Sequence, residues 1–359
     1  MNHLKNNEIF IYVGSYTNKE AEGLSIAAFD PKSGAASLVG RLDGIAHPSF
    51  LTIDSKRGYL YAVSETVEAE GRQSGKVVSY KINPETGELI FRSEQLTGGA
   101  APCYVSLSSE GDRLFVANYT GGNVCVFPLE EGRIGEMADE AQHEGSSCVR
   151  PDRQEAPHPH SIILDPSGRF AYVQDLGQDK IVIYRLGEDR RKLIYHKDIR
   201  AEPGAGPRHL IFHHTEPFAY VINELDSTIS SFFCRDEGSL ESIQTISTLP
   251  ESYSGENTAA DLHISPCGHF LYASNRGHDS IGVYKIDLET GALAYVDHTS
   301  TRGKNPRNFA LSPDGEFLIA ANQDSDSIVT FSIDRDTGEL SDPVDSMTVS
   351  EPVCVKFLY

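Results

Sequence analysis

The hydrophobic pattern of this chain is that of short β-strands that recur from one end to the other. Three apolar runs of about six residues, rich in β-branched and aromatic side chains, are followed by a fourth, weaker run. The first turn reads D-P-S-G, S-P-C-G or S-P-D-G and the third reads T-G-E-L or T-G-A-L, so both contain glycine. Helical periodicity is absent. The pattern therefore predicts an all-β protein.

The runs are copies of one repeating unit. PHSIILDPSGRFAYVQDLGQDKIVIY (159–184), PRHLIFHHTEPFAYVINELDSTISSF (207–232) and PRNFALSPDGEFLIAANQDSDSIVTF (306–331) align without a gap. Further copies begin at residues 48, 102 and 259. Four antiparallel strands per copy are typical of a propeller blade.

The two ends of the chain share one further copy. Residues 352–359 match a first strand only, whereas residues 9–30 match a second and a third strand. We expect the C-terminal strand to join the sheet begun by the N-terminus, which closes the ring and protects sheet edges. The prediction is a single domain, residues 1–359, folded as a seven-bladed β-propeller with four-stranded antiparallel blades. A six-bladed ring with an extra strand pair is the alternative.

One stretch breaks the rhythm of the copies. Residues 129–157 are polar, glycine-rich and without periodicity, so we predict a long loop insertion there. Long loops inside compact domains are usually functional or disordered. This one leads directly into the segment APHPHSI, which places His158 and His160 at the beginning of a strand.

The charge balance limits the kinds of partner. With 31 Lys and Arg against 52 Asp and Glu, the net charge is −21. Such a surface repels phosphate backbones and anionic membranes, so neither nucleic acid nor a membrane is an expected partner. Any site for an anion must therefore be a local cationic pocket.

The sequence contains few features that indicate a cellular compartment. The apolar run from Ile9 to Val13 is too short for a signal peptide, and no stretch approaches the roughly 18–20 apolar residues of a membrane helix. The six cysteines form no C-x-x-C pair and are interpreted as buried, reduced thiols. We expect a cytoplasmic protein.

Polar residues that differ between equivalent positions are the best candidates for chemistry. The residue after the starting proline is titratable in three copies, as His160, Arg208 and Arg307. Seventeen residues after the proline, at the end of the second strand, the charged residues are Glu65, Glu224 and Arg276. Antiparallel pairing brings the start of strand one next to the end of strand two, so both positions lie at the same end of the blades.

Each of these residues also has a structural interpretation. Arg208 and Glu224 could be a partly buried ion pair, Arg276 a solvated turn residue, and His160 a structural histidine. Their occurrence together at matched positions favours a functional site. The residue that precedes the second position is Asn or Ser in most copies but Asp175 in one, and a small polar residue there is usually part of a turn.

A metal site is a separate possibility. Glu155, His158 and His160 could supply ligands, but further ligands of suitable type are missing from the equivalent positions, which are rich in arginine. We therefore expect no metal and no cofactor. The remaining histidines of this region are interpreted as structural: His209, His213 and His214.

The segments RQEAPHPHSIILDPSGRF, GAGPRHLIF, ASNRGHDS and GKNPRNFALSPDGEF resemble the lactonase family of seven-bladed β-propellers. This family includes cycloisomerase-2-type 6-phosphogluconolactonases and the fungal 3-carboxy-cis,cis-muconate lactonizing enzyme, and the likeness spans residues 9–359. It implies a monomeric, metal-free propeller with its site at one end of the channel. The catalytic groups proposed for the muconate branch match four residues here by motif context: His160, Arg208, Glu224 and Arg276.

The resemblance implies hydrolysis of a small anionic sugar-acid lactone, with 6-phosphogluconolactone as the expected substrate. His160 is expected to accept a proton from the attacking water. Arg208 and Arg276 would stabilise the oxyanion, while Glu224 would orient Arg208 or the histidine.

Contacts to the substrate phosphate are expected from Arg307, Lys304 and Arg153, because a guanidinium fork suits that group. His158 is a further candidate contact, although its position favours a scaffold role. Two other functions stay open: a lyase or cycloisomerase that forms lactones from unsaturated diacids, and a non-catalytic binding propeller.

Overall fold

The computed structural model describes residues 8–19 and 23–359. Residues 1–7 lie outside this part. The prediction that the N-terminal segment is not a signal peptide falls partly on these residues. The described chain consists of β-strands and one short 3-10 helix, Gln323–Ser325. Within it, no helix is long and apolar enough to cross a membrane.

The strands form seven antiparallel sheets, numbered here by their first appearance in the chain. Sheet 1 has the order β29-β1-β2-β3, with bounds β1 Ile9–Ser15, β2 Leu24–Phe29, β3 Ala36–Leu42 and β29 Pro352–Phe357. Sheet 2 contains β4 Leu51–Asp54, β5 Tyr59–Ser64, β6 Lys76–Ile82 and β7 Leu89–Leu96. Sheet 3 contains β8 Pro102–Leu107, β9 Arg113–Asn118, β10 Asn123–Glu130, β11 Arg133–Ile134 and β12 Asp139–Gln142. Sheet 4 contains β13 Pro159–Leu164, β14 Phe170–Asp175, β15 Lys180–Leu186 and β16 Leu193–Arg200.

The last three sheets follow the same order. Sheet 5 contains β17 Pro207–Phe212, β18 Phe218–Asn223, β19 Thr228–Cys234 and β20 Leu240–Ser247. Sheet 6 contains β21 Thr258–Ile264, β22 Phe270–Arg276, β23 Ser280–Ile286 and β24 Leu293–Ser300. Sheet 7 contains β25 Pro306–Leu311, β26 Phe317–Asn322, β27 Ser327–Ile333 and β28 Leu340–Thr348.

The chain divides into two compact units. The first combines residues 1–44 with residues 211–359, and the second is the continuous stretch 45–210. Sheets 1, 6 and 7 belong to the first unit and sheets 2, 3 and 4 to the second, while the division falls within β17. The prediction of a single domain stays a prediction.

Burial explains why the second strand of each sheet reads as continuously apolar. Every residue of β14, β18 and β26 is buried, whereas the outer strand β16 alternates between half-buried and exposed residues. A strand that is covered on both faces needs no polar side. The cores lie between consecutive sheets; the one between sheets 3 and 4 includes Phe115, Val126, Ile162 and Val173.

The predicted turns form as the sequence indicates. The first turn of sheet 4 closes with the Gly168 amide donating to the Asp165 carbonyl at 2.9 Å. In the third turn of sheet 7, Gly338 has φ +78°, and a Cβ there would lie 2.5 Å from the Phe270 ring. Only glycine fits both that backbone and that contact.

The shared sheet is confirmed, since β29 pairs with β1. The prediction of one long loop over residues 129–157 is wrong in part: β10 extends to Glu130, and β11 and β12 lie inside the stretch. Because β12 pairs with β10 as the outer strand of sheet 3, the irregular segment is residues 143–158. Sheet 3 thus has five strands rather than four.

The expectation that all cysteines are buried is also wrong in part. Cys103, Cys125 and Cys354 are buried, Cys234 is intermediate, and Cys148 and Cys267 are exposed. Burial raises the pKa of the Cys125 thiol well above its usual range.

Candidate active site

The position after the starting proline is the extra residue of a β-bulge. In sheet 4 the neighbours of His160 pair with adjacent residues of β14, so the register shifts at His160. The register shifts at the equivalent point in sheets 3 and 7, around Cys103 and Arg307. A bulge bends the strand and re-aims the extra side chain. One backbone device therefore presents these equivalent residues.

The second predicted position lies at the same end of the sheet, as expected. The Leu176 amide donates to the His158 carbonyl at 3.0 Å in sheet 4. Gln323 donates to Asn305 in the same way, at 3.0 Å, in sheet 7. The backbone fixes the two positions next to each other whatever side chains they carry.

His160 is buried between aromatic side chains of the second unit. It is 4% exposed, and its ring meets those of Tyr119 and His209 edge to face, each at 5.4 Å between centroids. The Sγ atom of Cys103 lies 3.8 Å from its Nδ1 atom. The imidazole is thus enclosed on several sides rather than held at the surface.

Arg208 and His209 form a second buried pair in this unit. They are 2% and 4% exposed, and Nη1 of Arg208 lies 3.1 Å from Nε2 of His209. The Ser161 hydroxyl donates to the Arg208 carbonyl at 2.7 Å. Because His209 also contacts His160, its imidazole touches both the predicted base and the predicted cation.

His158 makes contacts typical of a scaffold residue. Its ring stacks on Tyr119 with centroids 4.4 Å apart, and Nδ1 donates to the Tyr119 carbonyl at 3.0 Å. Nε2 lies 3.2 Å from Oε1 of Glu155. Both ring nitrogens are thus engaged by protein oxygens, which leaves His158 little capacity for a substrate.

Glu224 and Arg276 form an ion pair in the first unit. Nη2 of Arg276 lies 3.1 Å from Oε2 of Glu224, and the side chains are 13% and 4% exposed respectively. The same nitrogen donates to the Ala259 carbonyl at 3.1 Å. A pair this buried costs desolvation, and loss of one partner typically costs about 3–5 kcal/mol. Arg276 is therefore not a solvated turn residue.

A perturbed histidine lies two residues beyond Arg276. Burial lowers the pKa of His278 below its ordinary value of 6.5, and the neighbouring His298 lowers it further, while Asp279 opposes the shift. Its Nδ1 atom lies 2.7 Å from the Ser280 hydroxyl.

The three residues predicted to bind phosphate are distributed between the units. Arg307 is half-buried in the first unit, with its guanidinium carbon 5.5 Å from the Tyr16 ring centroid. Lys304 is exposed, and its amide donates to the Ser325 hydroxyl at 3.0 Å. Arg153 is half-buried in the irregular segment of the second unit.

The predicted residues thus fall into two groups. His160 and Arg208 lie in the second unit and are bridged by His209, while Glu224 and Arg276 are ion-paired in the first. Sequence reasoning missed His209, which it interpreted as structural. The sequence P-R-H did contain a signal for His209. The residues at the same position in two other copies are the aromatic Tyr104 and Phe50, and both rings contact His209.

Among residues 8–19 and 23–359, no group of three or more His, Cys, Asp or Glu is arranged to hold a metal ion. His158 and Glu155 interact with each other, as described above.

The comparisons with known proteins agree with each other. Residues 10–357 match the family model described as lactonase, 7-bladed beta-propeller. The chain is 34% identical to 6-phosphogluconolactonase of Bacillus subtilis over 97% of this chain and 98% of that protein. It is 35% identical to 6-phosphogluconolactonase of Formosa agariphila, over 84% and 86%. The solved structure of Pseudomonas aeruginosa periplasmic gluconolactonase matches with TM-score 0.92 and 33% identity, over 98% of this chain and 99% of that chain.

These matches confirm the predicted fold class, seven blades with the terminal strands in one sheet. They also agree with the expected enzyme class, a hydrolase of carboxylic esters, since lactones are cyclic esters. The chain belongs to the lactonase family of seven-bladed β-propellers.

Proposed function

We propose that this protein hydrolyses a sugar-acid lactone, and that its substrate is 6-phosphogluconolactone, giving 6-phosphogluconate in the pentose phosphate pathway. The observation that carries the proposal is His160, a buried imidazole presented by a bulge next to the Arg208–His209 pair in a chain of a lactonase family. The names of the relatives from Bacillus subtilis and Formosa agariphila supply the specific lactone.

In the proposed mechanism a water oxygen attacks the lactone carbonyl carbon while His160 takes the water proton. General-base help of this kind contributes about 10²–10⁴-fold to the rate. The negative charge then resides on the former carbonyl oxygen, where Arg208 and Arg276 stabilise it. Collapse of the tetrahedral intermediate breaks the ring C–O bond, and His160 returns the proton to the leaving oxygen.

Glu224 holds Arg276 in this scheme, because their ion pair fixes the guanidinium. Arg307, Lys304 and Arg153 are the proposed phosphate ligands on a chain whose net charge is otherwise −21. These cations would offset the repulsion between an acidic protein and an anionic substrate.

The test is the rate of 6-phosphogluconate formation by His160→Asn and by the matched control His214→Asn, which changes an exposed turn histidine. The substrate must be freshly prepared, and each variant is compared with spontaneous hydrolysis. We expect kcat to fall about 10²–10⁴-fold for the first variant and to stay unchanged for the control. Full activity of His160→Asn at an unchanged melting temperature would remove the assigned role.

A parallel assay with carboxymuconate, with and without a chelator, separates the alternatives. Turnover of the muconate alone would favour a cycloisomerase, and turnover of neither compound would favour a binding protein. Loss of activity with chelator would restore the metal hypothesis.

A further inference from the structure

Asp175 lacks a hydrogen bond that the equivalent asparagine makes in three other sheets. An Asn lies at or next to the end of the second strand in sheets 3, 5, 6 and 7. In sheets 3, 6 and 7 its side-chain amide donates to the carbonyl of the threonine that follows the outer strand of the preceding sheet, whereas Asn223 of sheet 5 donates to the Thr228 and Ser230 hydroxyls. The bonds are Asn118 to Thr97 at 3.1 Å, Asn275 to Thr248 at 2.6 Å and Asn322 to Thr301 at 3.1 Å. An ionised carboxylate has no proton to donate, so Asp175 cannot make this bond.

The threonine position has changed as well. His143 follows β12, the outer strand of sheet 3, and its amide donates to the Gly122 carbonyl at 2.9 Å. The amides of Thr97, Thr248 and Thr301 make the equivalent bonds in their own sheets. Where the sheet pairs 2–3, 5–6 and 6–7 have threonine and asparagine, sheets 3 and 4 have histidine and aspartate.

The two changes compensate for each other. Nδ1 of His143 donates to Oδ2 of Asp175 at 2.6 Å, and the side chains are 2% and 0% exposed. The donor and acceptor have thus exchanged sides. A hydrogen bond to a carboxylate is stronger than one between neutral groups, and burial increases the difference.

Asp175 also holds the other end of the irregular segment. Its Oδ1 atom accepts the His158 amide at 2.9 Å and the Gln178 amide at 3.1 Å. The carboxylate therefore ties residue 143, where the segment begins, to residue 158, where it ends. His158 is two residues before the bulge at His160.

Little else can fix this segment by packing. Residues 144–146 and 148–152 are exposed. Residues 144–147 and 149 form part of the lining of a cavity of about 410 Å³. Polar bonds therefore restrain the segment: those of Asp175 at its two ends, and between them the Ser147 amide to the Gly177 carbonyl at 2.9 Å and Nε of Arg150 to the Gly204 carbonyl at 3.2 Å. Gln154 adds bonds to the Leu176 carbonyl and to Asp179.

We propose that Asp175 and His143 form a latch that closes residues 143–158 into a fixed loop and thereby positions His160 for the reaction. Asp175 is a positioning residue in this proposal, because it acts through the His158 backbone. The effect on catalysis rests on the function proposed above, whereas the closure of the loop does not.

The chemistry predicts how the latch fails. In Asp175→Asn the amide nitrogen faces Nδ1 of His143, so the histidine must move its proton to Nε2. That atom is buried and has no hydrogen-bond partner among the described residues. In His143→Thr the carboxylate instead faces a carbonyl oxygen. The double variant Asp175→Asn/His143→Thr reproduces the threonine–asparagine arrangement of the other sheets, so it should restore the tie.

Limited trypsin digestion measures the closure without any substrate. The segment contains one bond suited to trypsin, Arg153–Gln154, since Arg150 precedes a proline. We expect each single variant to be cut there about tenfold faster than the parent, and the double variant within about threefold of it, as for strongly coupled residues. Tyr272→Phe, which loses one buried hydrogen bond to the Gly338 carbonyl far from this segment in sequence, is the stability control. Equal cutting of parent and Asp175→Asn, or no recovery in the double variant, overturns the latch.

Kinetics on 6-phosphogluconolactone then measure the positioning. Small displacements of a catalytic group cost up to about 10²-fold, so we expect kcat of Asp175→Asn to fall about tenfold with KM nearly constant, and the double variant to recover. An unchanged kcat in a variant with an opened loop overturns the positioning role. If the parent protein does not hydrolyse the lactone, the proposed function fails, while the digestion result still decides on the latch.

Discussion

Sheets 4 and 7 share one scaffold and differ at the end that carries the candidate chemistry. Both begin with a proline, shift register at the next residue and close their first hairpin with a glycine turn. Sheet 4 presents His160 in its bulge, whereas sheet 7 presents Arg307. Sheet 4 is tied to the preceding sheet by a histidine–carboxylate pair, and sheet 7 by an asparagine–threonine bond.

The comparison teaches which positions the scaffold leaves free to vary. The apolar second and third strands fill the space between sheets, so their side chains are constrained by packing. At the bulge and at the end of the second strand, the backbone makes its hydrogen bonds whatever the side chain. Function can therefore change at these positions without a change of fold.

The largest expected difference is kinetic. His160→Asn should lower kcat about 10²–10⁴-fold with little change in KM, because it removes the proposed proton acceptor. Arg307→Gln should instead raise KM about tenfold at nearly constant kcat, because it removes a proposed phosphate ligand. Steady-state kinetics with 6-phosphogluconolactone measure both parameters. The same pattern of effects in both variants would mean that the two bulges do not have separate roles.

The next prediction concerns stability. It introduces the histidine–aspartate pair that joins sheets 3 and 4 at the equivalent positions of sheets 6 and 7. Asn322→Asp places a carboxylate opposite the Thr301 carbonyl, and loss of the buried bond should lower the free energy of unfolding by about 1–3 kcal/mol. Adding Thr301→His should recover part of this loss. Urea denaturation provides the measurement. A double variant less stable than Asn322→Asp would show that the histidine–carboxylate pair depends on features special to sheet 4.

A smaller effect compares the first turns of the two sheets. Gly168 and Gly315 have φ of +66° and +74°, so alanine at either costs about 1–2 kcal/mol in backbone strain. A Cβ on Gly168 would meet its nearest atom at 3.9 Å, but one on Gly315 would lie 3.1 Å from the Pro266 ring. Gly315→Ala should therefore destabilise more than Gly168→Ala in the same urea assay. The reverse order would show that the proline ring moves away easily.

The smallest expected effect is on the pH dependence of stability, and it concerns His278. The pKa of His278 in the folded protein lies below 6.5. As the pH falls below 6.5, the unfolded chain therefore binds more protons than the folded protein does. The contribution to stability is fully present above pH 6.5 and is lost as the pH falls through the folded pKa. His278→Asn should make the melting temperature less dependent on pH in this window, compared with His214→Asn. An unchanged pH dependence would contradict the lowered pKa.

The sequence was sufficient for features that depend on local patterns. Apolar runs and glycine turns predicted the strands, and the match at residues 352–359 predicted the sheet shared by both ends. The outer strand β12 was missed because three of the four residues in Asp139–Gln142 are polar, and only Ala141 packs on the core. Such a strand has no hydrophobic period to detect.

The parts of the site that the sequence did not predict involve contacts between residues that are far apart in the chain. His209 reads as a packing residue until the rings of His160 and Tyr104 are placed against it. Asp175 was recognised as an exception among asparagines, but its meaning depends on His143, which lies 32 residues away in the chain. No local pattern links the two, since the irregular segment and strand β13 lie between them in the chain.

The pairing of β29 with β1 has a consequence for synthesis on the ribosome. The unit of residues 45–210 is continuous, so its strands emerge one after another without an intervening part of the other unit. Strand β1 must wait for a partner strand that begins at Pro352, which at roughly 5–20 residues per second arrives tens of seconds later. During that delay one edge of β1 is open to other nascent chains, so the pairing with β29 protects a strand that was made much earlier.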